Sequence, residues 1–184
     1  MLFIDAQVAH PHVPLTLLRA SLQDAAEALW LLAPDQQDER LLRALRIWYR
    51  DFGDRAEYEK IRPQQPGRKT GVDRQADMIG LAKTLGLNAG TVGGKLHTTS
   101  MIAQAADLVG RRDEAQRLWS LSSGLAHGRY WARLIGLDLV GAQPATGGYT
   151  LTVVASEADV VALGRVCWEL IEHGERLYRR RSGT

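Results

Sequence analysis

Leu15, Leu18, Leu22, Ala25, Leu29 and Leu32 recur at alternating spacings of three and four residues, the rhythm that lines side chains along one stripe of an α-helix. Pro11 and Pro14 punctuate the start of this helix and Pro34 ends it, because a residue before proline is pushed out of the α region. Asp35 or Asp38 is placed to cap a second helix carrying Leu41, Leu45, Trp48 and Phe52 and running to about Ile61. Arg and Asp fill its other faces. These apolar stripes are expected to form core.

Residues 62 to 72 hold two prolines and two glycines and predict a surface loop within one domain. A helix from about Asp73 to Leu85 follows, then a glycine-rich connection over Gly86 to Gly94. Thr98 or Thr99 offers an N-cap for a helix ending at Gly110, and another helix begins near Asp113 with Leu118, Leu121 and Leu125. The pattern then changes. Leu134 to Val140 and Tyr149 to Ala155 are β-prone runs on either side of a Gly- and Pro-containing connection, which predicts a small hairpin. Ser156 with Asp159 resembles a capping box for the last helix, where Val160, Leu163, Cys167, Leu170, Gly174 and Leu177 again alternate three and four. The basic tail over 178–184 is expected to fray.

The expected fold is therefore a single domain over 1–184, mainly all-α: an antiparallel helical bundle with a small β-hairpin near 134–155. At 184 residues, 45% hydrophobic and 24% charged, the chain has the length and composition of one globular domain. The net charge of +2 is too small to argue for nucleic acid by itself, so any electrostatic footprint must come from clusters such as Arg111-Arg112 or Arg179-Arg180-Arg181. One cysteine, Cys167, rules out an internal disulfide and any multi-cysteine metal site. On an apolar stripe, it reads as a small buried hydrophobe. The start of the chain lacks the features of a secretion signal, and no apolar run is long enough to cross a membrane. A cytoplasmic location and no membrane partner are the expectations.

Two segments invite functional readings. Residues 79 to 96 look like a lac-repressor-type helix-turn-helix, with Ala82, Gly86, Leu87 and the Thr91-Val92 pair where that motif has them. Such a regulator would read DNA with its second helix, yet Gly90, Gly93 and Gly94 fall in that helix, each costing about 1 kcal/mol relative to Ala and supplying no base contact.

The second segment is Trp119-Ser120-Leu121-Ser122-Ser123-Gly124-Leu125-Ala126-His127-Gly128-Arg129. With the bundle, and with an early helix bearing Arg19 that runs into Trp30-Leu31-Leu32, it resembles the HEPN superfamily of small helical domains, in particular its divergent actinobacterial-type members. The resemblance implies a homodimer, an RNA or protein partner, and a place in toxin, defence or RNA-associated systems. Catalytic members are ribonucleases whose Arg and His stand four to six residues apart on one helix, where Arg holds a phosphate and His moves a proton. Here Ser122 stands five before His127, and the nearest upstream arginine, Arg117, is ten residues away, about 15 Å along a straight helix. The resemblance thus favours a binding or regulatory module. A ribonuclease acting through His127 is the alternative, and the DNA-binding regulator is a third.

The candidate site residues are His127 and Ser123, four apart on one helix, with Arg19, Gln23 and Arg117 as candidate ligand-binding groups. Arg19 and His127 are expected to approach one another, sharing hydrogen bonds with Ser123 or Gln23. Such a cluster is either an anion-binding pocket or a hydrogen-bonded network that holds helix register. His10, His12, His97 and His173 show no metal-ligand spacing, and neither a Walker nor a Rossmann glycine pattern is present, so no metal or cofactor is expected.

Overall fold

The first helix, α1 (Val13–Leu32), buries Leu15, Leu22, Ala25 and Leu29 as its stripe predicts, and adds Ala26 and Trp30. It belongs to a computed structural model that describes residues 12–62 and 67–183. His10 and Pro11, and Pro63 and Pro66 of the expected loop, lie outside the described residues. The chain is mainly helical, and among the described residues strand is confined to one antiparallel hairpin. It groups into two compact units: Leu31–Thr98, and the segments up to Trp30 and from Thr99 onward.

The Leu31–Thr98 unit is a helical hairpin of α2 (Gln37–Glu59) and α3 (Gly71–Thr84), completed by the single turn α4 (Ala89–Val92). Gly71 lies against the backbone of Phe52 and Ala56, whereas Gln75 further along α3 donates to the carbonyl of Tyr49. The two helices therefore run antiparallel. Neither Asp35 nor Asp38 caps α2: the N-cap is Gln36, with no side-chain hydrogen bond, and Asp38 sits in the first turn, where its charge opposes the positive end of the helix dipole.

The buried lane of α2 also differs from the expected one. Leu45 is buried with Ala82 and Val92, and Leu42 and Tyr49 pack against them, while Leu41 and Trp48 are exposed. Trp48 stacks on Phe52 at 5.6 Å between ring centroids. Both lanes have helical spacing, and the seat of α3 decides which becomes core. At the start of α3, Thr70 and Asp73 form a reciprocal capping box, at 3.0 and 2.9 Å.

The other unit places α1 against three partners. Trp30 donates to Gln104 of α5 (Thr98–Asp107) at 2.9 Å. Arg19 lies over Trp119 of α6 (Arg112–Ala126). The Cys167 thiol of α8 (Glu157–Ser182) approaches the Leu18 carbonyl at 3.6 Å. Leu22, Leu29, Met101, Ile102, Leu118, Leu163 and Leu170 are fully buried in this unit; each contributes about 1.5–3 kcal/mol relative to exposure. Helices α6 and α8 are joined by an antiparallel ladder of ion pairs: Arg111 to Glu169 through two bonds (2.8 and 2.9 Å), Glu114 to Arg165 (3.0 Å), and Arg117 to Asp159 (2.9 Å). Asp159 is thus committed to Arg117, and Ser156, the N-cap of α8, makes no side-chain cap bond. The expected capping box is absent because a charge-assisted pair is the stronger claim on that carboxylate. The basic tail stays helical through Ser182.

Between α6 and α8 comes an unforeseen short helix, α7 (Tyr130–Gly136), followed by β1 (Leu137–Ala145) and β2 (Gly148–Ala155). Leu134 to Gly136, expected as strand, close α7 instead. A Cβ on Gly136 would stand 2.7 Å from Leu121 Cδ1, so this close seat against α6 depends on glycine. The strands pair down to Ala145 opposite Gly148. The connection is therefore the two residues Thr146 and Gly147, not eight, with Gly147 at φ +83, as tight hairpin turns require.

Candidate functional site

The segment Trp119 to Arg129 ends α6 and turns sharply into α7. His127 is the C-cap residue of α6, and its backbone N–H donates to Ser123 at 3.0 Å. Gly128 follows at φ +65, and the Arg129 N–H closes back on the Gly124 carbonyl at 2.8 Å. A left-handed residue with this back-bond satisfies the last carbonyls of a helix, and only glycine adopts it without strain. The Gly after His is therefore explained by the turn. The side chains of α7 then fold onto α6: a Cβ on Gly124 would lie 2.7 Å from Ala132 Cβ and 2.8 Å from the Trp131 ring.

His127 is exposed at this corner, as are Arg129, Tyr130, Trp131 and Arg133. Arg133 Nη2 comes within 3.4 Å of the position a Gly128 Cβ would take, which puts a guanidinium next to the turn carrying His127. Among the described residues no carboxylate pairs with Arg129 or Arg133, unlike the arginines of the α6–α8 ladder. The corner combines an imidazole, two unneutralised guanidinium groups and two exposed aromatic rings. Forked donors suit phosphate oxygens, and exposed ring faces suit bases.

The other candidates are placed elsewhere. Arg19 lies 4.4 Å over the Trp119 ring, with its Nε buried and without a hydrogen-bond partner. Trp119 precedes His127 by eight residues on α6, about 12 Å along the axis. Arg117 is engaged by Asp159. Gln23 and Ser123 are half-buried, and no hydrogen bond among the described residues joins Arg19, Gln23, Ser123 and His127. Ser122, five before His127, is fully buried and donates to the Leu118 carbonyl at 2.7 Å.

Sequence reasoning stopped at Arg129 and missed Tyr130, Trp131 and Arg133. The signal was present, as basic and aromatic residues interleaved just past the helix end.

The remaining histidines and the cysteine are less suggestive. His173 of α8 has its pKa lowered by partial burial first and by Arg176 and Arg180 second. Burial pushes the Cys167 thiol up to about 11, which leaves it protonated and unreactive. The helix-turn-helix resemblance covers α3 and its Gly86 turn, but α4 has only four residues, Val92 is buried, and residues 93–97 are not helical. A single turn is too short to lie along a major groove. No helix among the described residues is long and apolar enough to cross a membrane.

No family model, curated protein or solved structure matches this chain.

Proposed function

We propose that this chain is a HEPN-like binding module that engages single-stranded RNA at the corner between α6 and α7. The observation that carries this reading is the exposed cluster of His127, Arg129, Tyr130, Trp131 and Arg133, in which neither arginine is paired with a carboxylate among the described residues. Arginine forks take backbone phosphates, and the Tyr130 and Trp131 faces stack on unpaired bases. Regulation through binding, rather than cleavage, fits the commitment of Arg19 to Trp119 and of Arg117 to Asp159, since neither is left to grip a phosphate beside His127. The setting in a toxin, defence or RNA-associated system belongs to the same reading. A second reading, a ribonuclease acting through His127, draws on the exposure of His127 and on the Arg133 guanidinium lying against the neighbouring Gly128.

The test is fluorescence anisotropy with a labelled single-stranded RNA across a salt series. Binding weakens with salt, and Arg129→Ala with Arg133→Ala reduces the slope of log K against log salt by about 1.4, two phosphate contacts at about 0.7 each. An unchanged slope, or no saturable binding at low salt, rejects the reading. Gel analysis of the same RNA separates the alternatives: binding with intact RNA supports the module, whereas cleavage lost in His127→Ala supports the ribonuclease.

A further inference from the structure

Helix α3 carries a lane of residues that the core does not use up. Val72, Ala76, Ile79, Gly80 and Lys83 share one face of the helix, and beside Tyr49 of α2 they line a cleft of about 490 Å³. Small-molecule sites fall in the range of roughly 300–1,000 Å³. The cleft lies wholly within the Leu31–Thr98 unit. Its walls are fixed before any ligand arrives. Gln75 donates to the Tyr49 carbonyl at 3.0 Å, and Tyr49 and Ile79 both pack on the buried Leu45, Ala82 and Val92.

Gly80 is the residue that opens it. This glycine stands inside α3 and is not among those with positive φ, and a Cβ there would meet nothing within 4 Å. Neither the backbone nor the packing asks for glycine, which weakens a helix interior. What the missing side chain leaves is open floor between Ala76 and Lys83.

Charge says what the cleft takes. One cation lines it and no acid does. The two carboxylates of α3 are engaged elsewhere: Asp73 accepts from the Thr70 N–H, and Asp77 pairs with Lys69 at 2.8 Å. Among the described residues no carboxylate pairs with Lys83. Lys83 and Val72 stand at opposite ends of the lane, about 16 Å apart along the helix. A single ammonium is a point charge suited to a monoanion, whereas a phosphate dianion draws on forked or multiple donors. We infer that the cleft binds a straight-chain carboxylate, of about ten carbons for a lane of that length. Its head meets Lys83 and its tail runs over Gly80, Ile79 and Ala76 toward Val72.

Isothermal titration of the full chain with sodium decanoate, kept below its self-association concentration, is expected to show one saturable site. Across hexanoate, octanoate and decanoate the affinity rises about two- to threefold per methylene, less than full burial gives because the cleft is open on one side. Gly80→Leu fills the floor and weakens decanoate by more than about tenfold, the loss of several methylene contacts, with the helical circular dichroism and thermal midpoint retained. Lys83→Met keeps the apolar stem and weakens decanoate about three- to fivefold, the scale of an exposed ion pair, while decanol binds both proteins alike. Absence of saturable binding, or an affinity that does not grow with chain length, overturns the proposal. So does decanoate binding that survives Gly80→Leu, or a Lys83→Met variant that loses decanoate and decanol equally.

Discussion

The guanidinium of Arg19 lies 4.4 Å from the centroid of the Trp119 ring, so the arginine of the first helix packs on the aromatic that precedes His127 by two turns. A cation over an indole face contributes about 0.5–2 kcal/mol, more as water is excluded. Because its Nε is buried and unpaired, the side chain stabilises through its face and stem and not through that N–H. Arg19→Ala is expected to lower unfolding free energy by about 0.5–2 kcal/mol in urea titrations. Arg19→Met keeps the stem over the ring and removes the unpaired donor, and costs less. Equal losses for the two variants would leave the stem with no part.

His127→Ala is expected to change stability by less than about 0.5 kcal/mol, the usual scale for an exposed position. A buried register network would instead lose about 1–3 kcal/mol through its unpaired partners. Thermal and urea unfolding of the variant separate these outcomes.

Two glycines should respond in opposite directions. Gly124→Ala drives a methyl to 2.7 Å from Ala132 and 2.8 Å from Trp131 and is expected to cost about 1–3 kcal/mol. Gly164→Ala meets nothing within 4 Å and should stabilise by up to about 1 kcal/mol through helix propensity. If both variants shift the midpoint the same way, the tight seat of α7 on α6 is wrong.

Acid sensitivity follows from Glu169. Its pKa is lowered, first by the hydrogen bond from Arg111 and then by the nearby Arg111 and Arg165 charges acting against some desolvation. A carboxyl depressed on folding contributes stability above its unfolded pKa, near 4.3, and loses it as pH falls through the folded value. Wild type should therefore exceed Glu169→Gln at pH 7, and the gap should close below about pH 4. A gap constant from pH 7 to pH 3 would contradict the ion pair.

The Cys167 thiol, raised to about 11 by burial, should resist alkylation by iodoacetamide at pH 8 in the native protein and react at the ordinary rate in denaturant. Equal native and denatured rates would place the thiol at the surface.

The sequence by itself determined most helices and which face of several turned inward. The three-four stripes of α1, α6 and α8 were legible because burial along a helix leaves a periodic trace, and Cys167 was readable as core for the same reason. Pro34 marked a stop that depends on local backbone sterics alone. Several features were settled only in three dimensions. Two adjacent lanes on α2 have the same spacing, and the seat of α3 chose Leu42, Leu45 and Tyr49 over Leu41 and Trp48. Leu134 reads as β-prone, yet the close fit of Gly136 on Leu121 holds its segment helical. Asp159 carries a capping signal that the cross-helix Arg117 overrides. The candidate site divides in the same way. His127 and Gly128 were visible as a motif, whereas its surroundings depend on which arginines find carboxylates. Arg117 finds one in Asp159 and Arg133 finds none among the described residues, because opposite charge is supplied by neighbouring helices that a linear pattern does not bring together.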